Sequence, residues 1–355
     1  MLRFLTYRLF AIPITLWIIT MMLYGFVMLT PPEVRATIYY PMGLNTERLT
    51  NEELNRVNYL LIKKYHLDDP YLVQYAIWAS QLLQGDWGWS PSRHEQVLPA
   101  LLRRTPVTAE LAFYSILVFI PLGLFSGVRA GANKDRSKDL RFRAGAFIGV
   151  SLPPFVLAIV LLSIFYVGLY WFPPQRLGSK SMLFINSDEF RQITGFLTLD
   201  GFFNHRPDIS LEALRHLILP VVTISLGYWA ILGRVTRSSM IEEKHKDHVA
   251  AARARGVSEH SLTWKHIFRN AITPSLTSSV MSAASLLTSL FIVELIFDFK
   301  GVASLVVDYN LPAPDAPMLL GFSIYSVFIV LFMMLILDLI IAALDPRVRE
   351  GIIAE

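Results

Sequence analysis

The sequence predicts an all-α polytopic membrane protein with six transmembrane helices and both termini in the cytoplasm. Two observations carry this reading: six long blocks free of charge, and the uneven placement of Lys and Arg in the links between them. Hydrophobic residues make up 54% of the 355 residues and charged residues 17%, against roughly 45–50% and roughly 25% in soluble domains. The excess is gathered into Leu9–Thr30, Leu111–Val128, Ala144–Pro174, Leu217–Gly233, Ala271–Val293 and Met318–Leu337, none of which contains Asp, Glu, Lys or Arg. A helix crossing a bilayer needs roughly 17–25 such residues, and all six blocks reach that range. Core helices of a large soluble protein rarely run this far without a charge.

The first block follows Arg3 and Arg8. Its apolar stretch exceeds the roughly 7–15 residues of a secretory signal, and Thr30-Pro31-Pro32 replaces a small-residue cleavage site. It therefore reads as a retained signal anchor. The link after the second block carries Arg129, Lys134, Arg136, Lys138, Arg141 and Arg143. The link after the fourth carries Arg234, Arg237, Lys244, Lys246, Arg253, Arg255, Lys265 and Arg269. Arg347 and Arg349 follow the sixth, whereas Glu294–Pro317 holds Glu294, Asp298, Asp308 and Asp315 against Lys300 alone. Positive loops face the cytoplasm, so residues 31–105 lie outside and the link 234–274 inside. The net charge of +4 is then a topogenic signal, and no nucleic-acid module accompanies it.

Each remaining element has a local reason. Residues 31–105 predict an extracytoplasmic helical segment. Thr50-Asn51-Glu52-Glu53 has the form of a capping box, and Leu54, Val57, Leu61 and Ile62 recur at helical spacing. Asp68-Asp69-Pro70 breaks that helix, Tyr71–Leu83 resumes it, and Gly85–Pro91 is a turn rich in aromatics. Val97–Arg104 predicts a short helix leading into the second span. Ala144–Pro174 is longer than a span requires, which predicts a tilt or an interfacial turn near Tyr170, Trp171 and Pro173. Phe172–His216 is expected to pack over the membrane domain. The absence of cysteine excludes disulfides and thiol chemistry.

The link between the fourth and fifth blocks is patterned in a way that loops usually are not. Val249–Arg255 is Ala-rich and favours helix, and Gly256 supplies the positive φ that stops one. Ser258 suits an N-cap, after which Trp264, Ile267, Phe268 and Ala271 form one helical face, with Pro274 starting the fifth span. Spacing alone fits two readings equally: a short helix that transmits a push to the membrane helices, or an interfacial helix resting on lipid. No G-x-x-x-x-G-K-[ST] phosphate loop is present, and His245-Lys246-Asp247-His248 reads as a solvated face more readily than as a metal site. Glu294, at the end of the fifth block, is the candidate residue for a substrate path, because an intramembrane carboxylate is costly without a role or a partner.

The segment His248–Gly256 with Ser258-Glu259, Arg269-Asn270-Ala271 and Pro274 resembles the EAA loop of binding-protein-dependent ABC importer permeases. Within that family it is most similar to the dipeptide/oligopeptide-type branch and its B-type permease subunit. Further motifs agree in order: Leu2-Arg3-Phe4, Ile12-Pro13, Tyr65-His66-Leu67-Asp68, Gly85-Asp86-Trp87-Gly88, Thr108-Ala109-Glu110-Leu111, Ser151-Leu152-Pro153, His216–Pro220, Arg237-Ser238-Ser239-Met240 and Leu344-Asp345-Pro346-Arg347. Ala250 stands where the EAA consensus has Glu, and Phe297–Gly301 replaces a Trp-Pro-Gly-type turn.

The resemblance implies a type I ABC importer fold in a prokaryotic inner or plasma membrane. It divides the chain into an N-terminal transmembrane helix (1–30), the external segment (31–105), a five-helix transport domain (106–344) with its EAA loop at 234–274, and a cytoplasmic tail (345–355). Ala251, Ala252, Arg253, Arg255, Gly256, Val257, Ser258 and Glu259 are then the residues coupling the permease to an ATPase. The implied partners are a second homologous permease, two cytoplasmic ABC ATPase subunits, an extracytoplasmic solute-binding protein and the bilayer. This chain would bind no cofactor and catalyse no reaction; ATP and Mg would sit on the ATPase subunits. The implied solute is a peptide, or next an oligosaccharide. The alternative, a secondary transporter or channel, needs intramembrane charges or repeated broken helices, for which Glu294 and Asp338 are the candidates.

Overall fold

The computed structural model describes residues 2–40, 49–307 and 315–344. Its described residues divide into two compact units, one formed within 2–103 and 305–329, the other by Arg104–Ser304 with 330–344. Among the described residues, five helices are long and apolar enough to cross a membrane, and six if one bent pair counts as a single span. Expected positions on Asp308, Asp345, Pro346, Arg347 and Arg349 fall outside the described residues.

In the first unit, helix α1 (Leu2–Met28) is followed by the short α2 (Pro32–Ala36), then α3 (Asn51–Lys64) and α4 (Tyr71–Leu83). The capping box forms: the Thr50 hydroxyl accepts the Glu53 N–H while the Thr50 N–H donates to the Glu53 carboxylate at 2.9 Å. The backbone hydrogen bond from Thr50 holds the exposed Glu53 carboxyl below its ordinary range. Tyr24 of α1 stacks on Trp78 of α4 at 4.9 Å, and Thr20 shares a hydrogen bond with the Tyr75 hydroxyl. The buried Arg35 guanidinium is satisfied by Thr30 O, Leu67 O and Gln74 Oε1. A buried cation needs such partners, and these three fix the connection after α1. A two-residue ladder, β1 (Trp89–Ser90) with β2 (Glu95–Gln96), closes the turn 91–94, and Asp315 accepts from both the Ser90 and Ser92 hydroxyls.

Helix α5 (Val97–Ala132) is continuous, so the short lead-in helix expected before the second span is the first part of the span itself. Pro106 does not interrupt it. Its ring packs against Gly195, where a Cβ would come within 2.5 Å. The third span departs further from expectation. Helix α6 (Ser137–Ser151) and helix α7 (Pro154–Leu161), which continues as a π-helix to Gly168, meet at 99°. The cause is local: Leu152 and Pro153 are both extended (ψ 127° and 145°), as a residue before proline prefers, and Pro154 starts the new helix at the position proline favours. The segment that follows has its own core. Short helices α8 (Ser179–Ile185) and α9 (Leu197–Phe203) enclose Leu177, Ile185, Phe190 and Leu197 against Ile209 and Ala213. The fourth span, α10 (Pro207–Lys244), therefore starts ten residues before its charge-free block.

Helices α5 and α10 approach closely. Gly123, Gly127 and Gly131 recur every four residues along α5, and a Cβ at Gly127 would come within 2.6 Å of both Gly233 O and the Thr236 side chain. Small residues at this spacing let membrane helices meet backbone to backbone. Asp139 of α6, wholly buried, receives Arg237 of α10 through both carboxylate oxygens, at 2.5 and 2.7 Å, and also the Asp135 N–H. Removing one partner of such a pair leaves a desolvated charge, at a cost of about 3–5 kcal/mol. Asp139→Asn should therefore lower the thermal unfolding midpoint of the detergent-solubilised protein, while Asp139→Leu with Arg237→Met should recover most of that loss. Equal destabilisation by the single and double variants would show that the pair is not the cause.

Candidate functional site

Helix α11 (Asp247–Ala254) and helix α12 (Glu259–Ser261), the latter continuing through a π-helical stretch (Leu262–Ile267) into α13 (Phe268–Ile296), build the patterned link. The stop between them is the one the residues predict. Gly256 has φ +81°. The Gly256 N–H donates to Arg253 O at 3.0 Å and the Val257 N–H to Ala252 O at 3.3 Å, the pair of bonds that ends a helix on a left-handed residue. Ser258 accepts the Ser261 N–H, and Arg253 Nε donates to Glu259 Oε1 at 2.7 Å across the turn. Pro274, expected to start the fifth span, lies inside a helix that is continuous from Phe268. Its missing N–H costs a single bond to the carbonyl of Asn270, and buried contacts hold the helix on both sides.

The inner side of this link is a core. Val249, Ala252, Leu262, Ile267 and Ala271 pack with Val128 of α5 and Met240 of α10, and Val257, Trp264 and Phe268 close over them. Each fully buried Val, Leu or Ile contributes about 1.5–3 kcal/mol, against about 0–1 kcal/mol for an exposed ion pair such as Arg253–Glu259. Apolar packing therefore fixes the position of the link. At its start, buried Glu243 takes Lys246 at 2.5 Å and His248 at 3.3 Å.

The outward side is chemically different. Ala250, Ala251, Arg253, Ala254, Arg255, Gly256, Ser258 and Glu259 are exposed, while Ala252 is buried and Val257 half-buried. Six of the eight residues expected to couple thus face outward, and Ala252 belongs to the packing beneath them. Helix α11 exposes no large apolar side chain, since Val249 turns inward. An interfacial helix needs such side chains to sink into lipid, and α11 presents none.

A family model for the inner membrane component of binding-protein-dependent transport systems matches residues 119–350. The chain belongs to this family. It is 28% identical over 350 residues to the dipeptide transport system permease protein of Bacillus subtilis, covering 98% of each chain. It is 28% identical to the di/tripeptide transport system permease protein of Pseudomonas aeruginosa, with 99% of each covered. With the oligopeptide transport system permease protein of B. subtilis it shares 30% over 289 residues, 81% of this chain and 84% of that one. The protein is thus an all-α, multi-pass ABC permease subunit of a prokaryotic plasma membrane, without an ATPase site of its own.

Glu294 sits near the end of α13 and is 1% exposed. Its Oε2 accepts the Ala303 N–H at 3.2 Å, and its carboxylate fills the space where Gly301 has no side chain. The Val302 N–H donates to the Thr108 hydroxyl, and the Phe297 carbonyl accepts the Gln175 N–H at 2.7 Å. Close by in the same unit, Glu110 accepts Arg176, the Thr198 N–H and the Thr198 hydroxyl. Sequence reading placed Glu110 in a motif of the resemblance without a role; its partners come from a segment without periodic signal. Glu294→Gln should keep the Ala303 hydrogen bond and preserve assembly, yet change the uptake rate if this turn gates the outer side. Uptake kinetics identical to wild type in a normally assembled transporter would remove Glu294 from the transport path.

Proposed function

We propose that this permease is one of two homologous membrane subunits of an ATP-driven importer of peptides, and that residues 247–259 form the surface on which a cytoplasmic ATPase subunit acts. The observation that carries the reading is the two-sidedness of α11. Its outer face is small, polar and basic, and its inner face is locked into a core shared with α5, α10 and α13. A displacement applied to the outside must move all three helices, because close-packed interiors transmit strain. The Lys and Arg distribution supports a cytoplasmic position for this face. The relatives named above, all peptide transport permeases, support a peptide as solute.

The cycle that follows is alternating access. ATP and Mg bind the two ATPase subunits, whose closure shifts α11; the spans reorient, and a peptide handed over by an extracytoplasmic binding protein passes inward. Ala251, Arg253, Arg255, Gly256, Ser258 and Glu259 present the contact, with Ala252 and Val257 anchoring it. The turn around Glu294 and Gly301 serves the outer gate, with Glu294 as a positioning residue.

The test uses the assembled transporter with its binding protein in liposomes. A Cβ at Gly256 meets nothing within 4 Å, so Gly256→Val acts through backbone strain alone, about 1–3 kcal/mol. Arg253→Glu reverses the exposed charge and places a second carboxylate beside Glu259. Both variants should insert and assemble, and both should lose peptide-stimulated ATP hydrolysis by roughly tenfold or more. Wild-type stimulation in both would leave the link as a structural element with no coupling role.

A further inference from the structure

We propose that the permease holds the headgroup of an anionic phospholipid in the cavity where the end of α5 meets the α12–α13 helix. The cavity measures about 880 Å³ and is rimmed by Arg129, Lys134, Arg136, Lys138 and Lys244. Its acidic lining residue is Glu259, which is already engaged by Arg253. Asp139, the buried carboxylate nearby in sequence, is taken by Arg237, and Asp135 does not line the cavity. Lys134, Arg136 and Lys138 make no ion pair among the described residues. Lys244 donates to the Ala132 carbonyl, and Arg129 lies over the Phe125 ring. Gathering five cations around one carboxylate, which Arg253 and Lys244 already share, is unfavourable, and an anion seated here relieves it.

The floor and the approach to the cavity point to a lipid as the source of that anion. Trp264 stacks on Phe125 at 6.1 Å, and both line the cavity; tryptophan with an apolar body and a polar edge suits the headgroup level of a bilayer. Along α5, Leu122, Phe125 and Arg129 follow one another at helical spacing on one face, with Leu122 52% and Phe125 48% exposed. This apolar track runs from the membrane-spanning part of the helix up to the cationic rim, the arrangement an acyl chain and its phosphate require together. A soluble phosphate would use the rim and leave the track without purpose. Basic pockets between membrane helices on the cytoplasmic side take phospholipid headgroups by the same physics. The inference rests on the membrane assignment and not on the import cycle.

The assembled transporter is placed in nanodiscs of phosphatidylcholine containing phosphatidylglycerol, with a nitroxide on the headgroup of one lipid or the other. Quenching of Trp264 fluorescence is read as the difference between wild type and Trp264→Phe, without ATP or peptide. The site predicts strong quenching by labelled phosphatidylglycerol and little by labelled phosphatidylcholine at equal content. Combining Lys134→Gln, Arg136→Gln and Lys138→Gln should weaken the preference by roughly tenfold or more, while Lys134→Arg with Lys138→Arg should retain it. Equal quenching by the two lipids overturns the proposal, as does an unchanged preference in the neutralised variant. Relief of quenching by added inorganic phosphate overturns it in favour of a soluble anion. If the neutralised variant does not accumulate, the two labelled lipids and the charge-conserving variant still decide. Because neither transport nor hydrolysis is read, the result is separable from the importer reading.

Discussion

The close approach of α5 to α10 is the contact on which the site depends. Gly123, Gly127 and Gly131 bring the two backbones so near that Leu232, Gly233, Thr236 and Met240 occupy the places their side chains would take. In a bilayer, helices gain nothing by hiding apolar surface from lipid, and van der Waals fit decides their association. That fit sets Val128 beside Met240, and these two residues are the seat on which Val249, Ala252 and Leu262 rest. A wider spacing between α5 and α10 would leave the patterned link without its core and free to lie elsewhere.

Electrostatics then fixes what packing leaves open. The Asp139–Arg237 pair ties the basic loop after α5 to α10, and Glu243 gathers Lys246 and His248 where α10 turns into α11. Each carboxylate is buried and each is satisfied, the condition under which buried charge specifies one geometry. The cations left over, Lys134, Arg136 and Lys138, stand around the cavity beside the link. A single loop thus carries both the topogenic signal and a candidate lipid site, adjacent to the surface proposed for the ATPase.

Residues with a local conformational reason were legible in the sequence. The capping box at Thr50, the positive φ at Gly256 and the N-cap at Ser258 each follow from side chain and backbone within four residues. The five or six apolar spans were legible because the bilayer demands length and apolarity. What was missed depends on partners distant in sequence. Pro274 read as a boundary, yet the helix runs on through it, as α5 runs on through Pro106. The bend at Leu152-Pro153 has a local cause in the two consecutive prolines, yet the charge-free block shows no break in composition that fixes its 99°. The glycine spacing in α5 was visible and is the signal that could have placed α5 on α10. Which side of the coupling link faces inward, with Ala252 buried and Ala251 exposed, needed the fold.

The central claim is that the outer face of α11 meets an ATPase subunit while its inner face never leaves the core. A photo-crosslinking amino acid at position 251, in the assembled transporter within its membrane, tests this most directly. The account predicts a crosslink to the ATPase subunit, strengthened when ATP is bound, and none from position 252 in a chain that remains folded. Crosslinks from position 251 to lipid alone, with the ATPase subunit present and bound, would contradict it.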